Sequence, residues 1–107
     1  MAKLVVQYDI CKNPDKASRN RVPYLIVLQS DLLSPLVTVV VAPVILERTS
    51  SSISKLNPLI AIDGKKFRVS VQDMAGVPRN RLGAVVANAG KQHLDFVAAI
   101  DLLFTGI

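Results

Sequence analysis

The sequence contains no tryptophan, and it has only one cysteine and one histidine, Cys11 and His93. A single cysteine cannot form a disulfide within the chain, which excludes the disulfide-stapled scaffolds of small secreted domains. One thiol and one imidazole also fall short of the four ligands that a structural zinc ion needs. We therefore expect no metal site and a reducing, cytoplasmic setting.

Long hydrophobic runs and glycine-rich loops are also absent. The longest apolar stretch, residues 39–46, contains Pro43 and is much shorter than the roughly 20 residues that span a bilayer. The five glycines are scattered, and none lies in a GxGxxG or GxxxxGK pattern that would cradle phosphate groups. The sequence therefore predicts no membrane span, no nucleotide site and no cofactor.

The residues that are present suffice for one hydrophobic core. Half of the 107 residues are hydrophobic and 20% are charged, so we expect a single domain over residues 1–107. A net charge of +5 favours an anionic partner, either nucleic acid or an acidic protein segment. The cations concentrate in residues 12–21, 65–68 and 79–81 with little aromatic interleaving, which argues against a stacking platform for single strands.

Apolar runs rich in valine and isoleucine predict β-strands. Residues 4–8 form one such run. Residues 24–28, bounded by Pro23 and a polar segment at 29–31, and residues 37–41, bounded by Pro35 and Pro43, form two more. Because Thr38 is the only polar residue in the last two runs, we expect them to be buried on both faces. Between residues 59 and 71, Asp63-Gly64 predicts a hairpin with a type I′ turn and one wet face.

The remaining segments predict loops, one short strand and a helix. Residues 49–55 are rich in serine and indicate a surface loop, residues 73–78 a turn-rich corner, and residues 82–87 a short strand. From residue 91 onward the period changes to three and four, which predicts an amphipathic helix capped by Gly106. Its predicted core-facing residues are Phe96, Val97, Ile100, Leu103 and Phe104. The expected fold class is mainly β, with five or six strands and a C-terminal α-helix.

Two groups of residues suggest a function. Arg21, Ser30, Thr49 and Arg68 would supply guanidinium and hydroxyl groups to a metal-independent ribonuclease, or they are ordinary surface cations and turn residues. Gly106 and Ile107 would follow the helix directly, as a frayed and inert end or as an apolar tip that inserts into a pocket of a partner. Residue pattern alone leaves both pairs of alternatives open.

Three segments resemble the CcdB toxins. They are Val27-Leu28-Gln29-Ser30-Asp31-Leu32-Leu33, Asp73-Met74-Ala75-Gly76-Val77-Pro78 and Ala99-Ile100-Asp101-Leu102-Leu103-Phe104-Thr105-Gly106-Ile107. The second is similar to the family's DMASVP corner and the third to its AINLMFWGI ending. The resemblance implies an SH3-like antiparallel barrel with a small accessory sheet and a C-terminal helix, paired as a homodimer.

The resemblance also implies a function and its partners. It indicates the toxin of a type II toxin–antitoxin module, which traps DNA gyrase by binding gyrase A. An acidic, partly disordered antitoxin would neutralise it, and operator DNA would be contacted only through that antitoxin. This makes the chain a binding protein rather than an enzyme.

The resemblance assigns candidate residues to these partners. Gyrase binding falls on Thr105, Gly106 and Ile107, with Thr105 standing where the family has tryptophan. The candidates for antitoxin binding or for a position near the dimer interface are Ser30, Leu33, Asp101 and Phe104. Because residues 21–31 are also similar to the second strand of the MazF and Kid ribonucleases, the ribonuclease alternative stays open. A homologue that has lost gyrase binding through Thr105 is the other alternative.

Overall fold

The computed structural model describes residues 4–47 and 55–106. Within these ranges it contains seven β-strands and one α-helix. These are β1 (Asp9–Lys12), β2 (Tyr24–Val27), β3 (Thr38–Leu46), β4 (Leu59–Ile62), β5 (Lys65–Val69), β6 (Ala75–Pro78), β7 (Val85–Asn88) and α1 (His93–Thr105). Four single turns of 3₁₀ helix, at Asp31–Leu33, Val71–Asp73, Arg79–Arg81 and Gly90–Gln92, connect them.

The seven strands form one antiparallel sheet in the order β4-β5-β3-β2-β1-β7, with β6 added beside β3. The long strand β3 is its centre, because one edge pairs with β2 while the other pairs first with β6 and then with β5. Pro43 lies where the second partner changes, between Val41 opposite β6 and Val44 opposite β5. A residue without an N–H group is tolerated there, since the ladder on that side is already interrupted.

The central strands are buried on both faces, as predicted, except at the start of the second run, where Val37 is 77% exposed and Thr38 is also exposed. On one face, Ile10, Ile26 and Ala42 lie opposite one another on β1, β2 and β3 and join the main core. On the other face, Val27 and Val41 are paired and belong to a second, smaller core cluster. Adjacent residues point to opposite faces of a strand, so each run of apolar residues contributes to both clusters.

The predicted hairpin is confirmed. Strands β4 and β5 are joined at Asp63 and Gly64, which have φ values of 51° and 78°, the positive values that a type I′ turn requires. The predicted wet face is wrong in part. Arg68 is half-buried and Ser70 is buried, because Arg68 forms a salt bridge with Glu47 at the end of β3 and the Ser70 hydroxyl donates to the Asp73 carboxylate at 2.6 Å.

The C-terminal helix is confirmed, and Gly106 caps it in the left-handed conformation at φ 75°. The core-facing residues differ from the prediction at two positions. Phe96 is fully buried, and Ile100 and Leu103 pack against the main core, but Val97 and Phe104 are exposed. Only one narrow side of α1, formed by Phe96, Ala99, Ile100 and Leu103, packs against the main core. Val97 and Phe104 lie beside that side and stay exposed.

The first predicted strand is wrong in position. Residues 4–8 are not a strand, and β1 begins at Asp9. Tyr8 has a φ of 68°, which no strand residue adopts, and the Asp9 carboxylate accepts a hydrogen bond from the Val6 N–H at 2.9 Å. Together these features bend the chain back immediately before β1, and local propensity does not reveal them.

The structure differs from three further predictions. Strand β3 continues through Pro43 to Leu46, and the predicted corner at residues 73–78 contains β6. The described residues therefore hold seven strands instead of five or six, while the short strand predicted within residues 82–87 is found as β7. The predicted serine-rich loop lies almost entirely outside the described residues. No helix in residues 4–47 and 55–106 is long and apolar enough to cross a membrane.

Candidate functional site

The tip of α1 is an exposed apolar and glycine-containing end. Phe104 is 69% exposed, and Gly106 donates its N–H to the Leu102 carbonyl at 3.1 Å, which ends the helix. The Thr105 hydroxyl donates to the Asp101 carbonyl at 2.6 Å, so it is bound to the helix backbone. The structure thus brings together four of the five tail candidates. Ile107 lies outside the described residues.

The solvent-facing side of α1 exposes several large apolar side chains. Leu94 is 78% exposed, and Val97, Asp101 and Phe104 follow it at spacings of three and four residues. Residues at these spacings share one side of a helix. The exposed side of α1 is therefore a largely apolar stripe with one carboxylate, the type of surface that a partner covers.

The base of α1 is fixed to the sheet by an aromatic cluster. The Tyr8 ring stacks on Phe96 with centroids 5.0 Å apart, and its hydroxyl is 2.7 Å from Nδ1 of His93. Burial raises the pKa of Tyr8 above its usual value, so the hydroxyl stays protonated and available for this hydrogen bond. The helix is therefore anchored at one end and exposed at the other.

The Ser30 and Leu33 candidates lie on the 3₁₀ turn between β2 and β3. The Ser30 hydroxyl accepts from the Leu32 N–H at 3.2 Å, which caps this turn. Leu33 is 47% exposed and Leu32 is 90% exposed. Arg79, which is buried, donates through Nε to the Leu36 carbonyl at 2.9 Å and fixes the segment that follows the turn. The turn presents leucines to solvent on a well-supported backbone.

Two ribonuclease candidates line one groove. Arg21 and Arg68 both border an open depression of about 1280 Å³ on the sheet, next to Tyr24 and Phe67. Ser30 is not among its lining residues, and Thr49 lies outside the described residues. The structure therefore places Arg21 and Arg68 on one groove, and Ser30 is not part of its lining.

Arg68 is already engaged within the groove. It forms a salt bridge with Glu47, and both side chains are largely buried. The groove is also lined by Asp63 and Asp73, so carboxylates accompany its cations. A phosphodiester bound there would have to compete with Glu47 for the Arg68 guanidinium.

Sequence reasoning missed three residues that shape these regions. Glu47 and Arg68 lie 21 positions apart, and only the pairing of β3 with β5 brings them together. Arg79 is a buried arginine in a basic segment, and no local pattern distinguishes it from the exposed Arg81. Tyr8 was predicted only as part of a strand.

Comparisons with known proteins agree with this architecture. A search of curated proteins found no match. A solved structure described as "Crystal structure of Mtb toxin" is similar to this chain, with a TM-score of 0.68 and 18% sequence identity over 89% of this chain and 99% of the other. At that identity, the similarity concerns the fold. The family model described as "CcdB protein" matches residues 7–106, which includes every described strand and the whole of α1. The chain therefore belongs to the CcdB family.

Proposed function

We propose that this chain is the toxin of a toxin–antitoxin system and that it inhibits DNA gyrase by binding gyrase A with the tip of α1. Membership of the CcdB family, which is a toxin family, supports the toxin role. The observation that carries the gyrase proposal is the tip itself, where Phe104 is 69% exposed immediately before Thr105 and the Gly106 cap. The resemblance places Phe104 with the antitoxin or the dimer interface, and its exposure beside Thr105 leads us to include it in the gyrase-binding tip instead. An exposed aromatic side chain on a rigid helix suits insertion into a preformed pocket.

The magnitude of this contact follows from the size of the side chain. Burying a phenylalanine against a partner contributes roughly 1.5–3 kcal/mol, which corresponds to about ten- to hundredfold in affinity. Thr105 offers less, because its hydroxyl is bound to the Asp101 carbonyl. A tryptophan at this position would add an aromatic contact of about 2 kcal/mol, or roughly 30-fold.

Binding to immobilised gyrase A, measured by surface plasmon resonance, tests the proposal. We expect Phe104→Ala to weaken binding by about tenfold or more and Thr105→Trp to strengthen it by about 30-fold. Val85→Ala is the matched control, since Val85 is an exposed apolar side chain on β7 and lies outside α1. Failure of the wild type and of Thr105→Trp to bind would refute gyrase as the target.

The proposal includes partners and location. We propose a cytoplasmic homodimer that is neutralised by an acidic, partly disordered antitoxin and that joins operator DNA through it. The exposed Leu94 and Val97 of α1, which precede the tip, and the exposed Leu33 support a protein interface. Size-exclusion chromatography with light scattering should give twice the chain mass of 11.6 kDa. A monomer at micromolar concentration would contradict the dimer.

A metal-independent ribonuclease is the second candidate. It is supported by Arg21 and Arg68 lining one groove, and it is opposed by the Glu47 salt bridge of Arg68. Incubation with varied transcripts in the presence of a chelator, with Arg21→Ala as the comparison, decides it. Intact RNA in every case would remove this candidate.

Loss of gyrase binding is the remaining alternative, and Thr105 motivates it. Induced expression in a host without the antitoxin separates the three functions. Growth arrest with a DNA-damage response supports gyrase inhibition, and arrest with loss of RNA supports the ribonuclease. Unaffected growth together with tight antitoxin binding supports a homologue that no longer acts on gyrase.

A further inference from the structure

Four exposed cations lie at the end of the sheet where β1 finishes. Lys12 is the last residue of β1, Lys16 and Arg19 belong to the loop that follows it, and Arg81 lies in a 3₁₀ turn before β7. We refer to these four residues as the basic face. None of them forms a salt bridge within residues 4–47 and 55–106. Their charges can therefore bind a polyanion.

Backbone hydrogen bonds bring the two chain segments of the basic face together. The Lys12 N–H donates to the Ala84 carbonyl at 2.9 Å, and the Gly83 N–H donates to the Lys12 carbonyl at 3.0 Å. Gly83 approaches Lys12 so closely that an added Cβ would lie 2.9 Å from the Lys12 Cβ. Arg81 is two residues before this contact, so it lies beside the end of β1.

The loop that carries Lys16 and Arg19 is well ordered by its own hydrogen bonds. The Asn13 amide donates to the Ser18 hydroxyl at 3.0 Å and to the Val22 carbonyl at 2.8 Å. The Arg19 N–H donates to the Asp15 carbonyl at 3.0 Å, as in a turn of helix. A loop held in this way loses little conformational entropy when its cations bind a ligand.

Asp15 is the only carboxylate in this loop. Its pKa is lowered by the hydrogen bond from the Ser18 hydroxyl and then by that from the Ala17 N–H. Both oxygens are therefore used within the loop, Oδ2 at 2.7 Å from Ser18 and Oδ1 at 3.3 Å from Ala17. The basic face consequently presents four cations against a single carboxylate that is held by its own loop.

The amino-acid composition of the basic face distinguishes between two classes of polyanion, nucleic acid and an acidic protein segment. Residues 12–21 contain no aromatic residue and no large apolar side chain. A protein interface needs a desolvated apolar or aromatic centre, and a single-stranded nucleic acid needs rings for base stacking. Phosphates on a duplex need only suitably placed Lys and Arg side chains. We propose that the basic face binds the phosphate backbone of duplex DNA without sequence preference, a contact additional to the sequence-specific operator contact that is proposed above for the antitoxin.

The salt dependence of binding gives a quantitative expectation. Four phosphate contacts predict a slope of about −3.6 in log affinity against log salt, which is about 150-fold between 50 and 200 mM salt. The full chain with a fluorescent duplex of about 30 base pairs, measured by anisotropy, gives this slope directly. Lys16→Gln/Arg19→Gln removes two contacts and should reduce the loss to about 12-fold.

A matched variant distinguishes the contribution of the basic face to DNA binding from the contribution of the overall charge of the protein. Lys65→Gln/Lys66→Gln also removes two positive charges, at the exposed start of β5, and its affinity should stay within about twofold of the wild type. Circular dichroism checks that both variants are folded. If Lys16→Gln/Arg19→Gln is unfolded, Lys12→Gln/Arg81→Gln tests the same face.

Three results would overturn the proposal. They are an equal loss of affinity in both charge variants, a salt slope near zero, or tighter binding of a poly-glutamate peptide of equal charge than of the duplex. The last result would assign the face to an acidic protein segment. Gyrase is absent from the assay, so its outcome is independent of the proposed gyrase inhibition.

Discussion

Deleting one oxygen atom from Tyr8 removes its hydrogen bond to the base of α1. In Tyr8→Phe the ring keeps its stacking on Phe96, and only the hydrogen bond to Nδ1 of His93 is lost. A hydrogen bond of this kind contributes about 1 kcal/mol, so the melting temperature of a domain this size should fall by roughly 4–8 °C. Removing the whole ring would be far more costly, because Tyr8 also joins the main core.

The same substitution changes the response to alkaline pH. Burial raises the pKa of Tyr8, so the unfolded chain loses this proton at a lower pH than the folded chain. The stability that depends on the protonated hydroxyl is complete below a pH of about 10 and is lost as the pH rises through the raised pKa. Because Tyr8→Phe has no such proton, its free energy of unfolding should approach that of the wild type above a pH of about 10.

Urea unfolding followed by circular dichroism, at several pH values between about 8 and 11, measures both effects. Tyr24→Phe is the control, since it removes a hydroxyl from the protein but leaves the Tyr8–His93 contact intact. A double-mutant cycle with His93→Ala isolates the pair, and we expect a coupling of about 0.5–1.5 kcal/mol. A coupling near zero, or a stability difference that does not change with pH, would refute the reasoning.

Three further substitutions test the fold. Phe96→Ala should lower the free energy of unfolding by about 3–5 kcal/mol, whereas Leu94→Ala on the exposed side of α1 should change it by less than about 0.5 kcal/mol, both measured by urea denaturation. Gly64→Ala should cost about 1–2 kcal/mol because φ is 78°, while Gly76→Ala, equally free of neighbours but without a positive φ, should be nearly neutral in the same assay. Gly83→Ala should lower the melting temperature, since its Cβ would collide with the backbone at the end of β1, and an unchanged value would contradict that contact.

Features set by neighbouring residues could be predicted from the sequence. The hairpin at Asp63-Gly64 is one, because the turn chemistry and the alternation of β5 lie within a dozen residues. The helix and its Gly106 cap are another. In both cases, the local preference and the tertiary structure agree.

Features that depend on distant partners could not be predicted. Pro43 looked like the end of a strand, but β3 passes through it because β2 continues on one side while β6 gives way to β5 on the other. Residues 4–8 have strand propensity, yet the turn at Tyr8 is fixed by hydrogen bonds to Val27 and Ala89. In both cases, tertiary contacts override the local preference.

The residues of the candidate site also fall into those that local sequence predicts and those whose positions depend on distant partners. The tip of α1 could be predicted because a helix places neighbouring residues at its end whatever surrounds it. Only half of the groove could be predicted, since Arg21 and Arg68 both line it but Ser30 lies on a separate turn. The salt bridge with Glu47 depends on the register of β3 against β5, which no spacing in the sequence encodes.

The different burial of the two ends of α1 has an evolutionary consequence. Phe96 and Ala99 are fully buried against the sheet, whereas Phe104, Thr105 and Gly106 are exposed. Exposed positions tolerate substitution with little change in stability, so selection for folding acts on the base of the helix and scarcely on Phe104 and Thr105. If the tip binds the target as proposed above, members of one lineage can exchange the residues at these two positions, and with them the target, while the sheet and the anchored end of the helix stay the same.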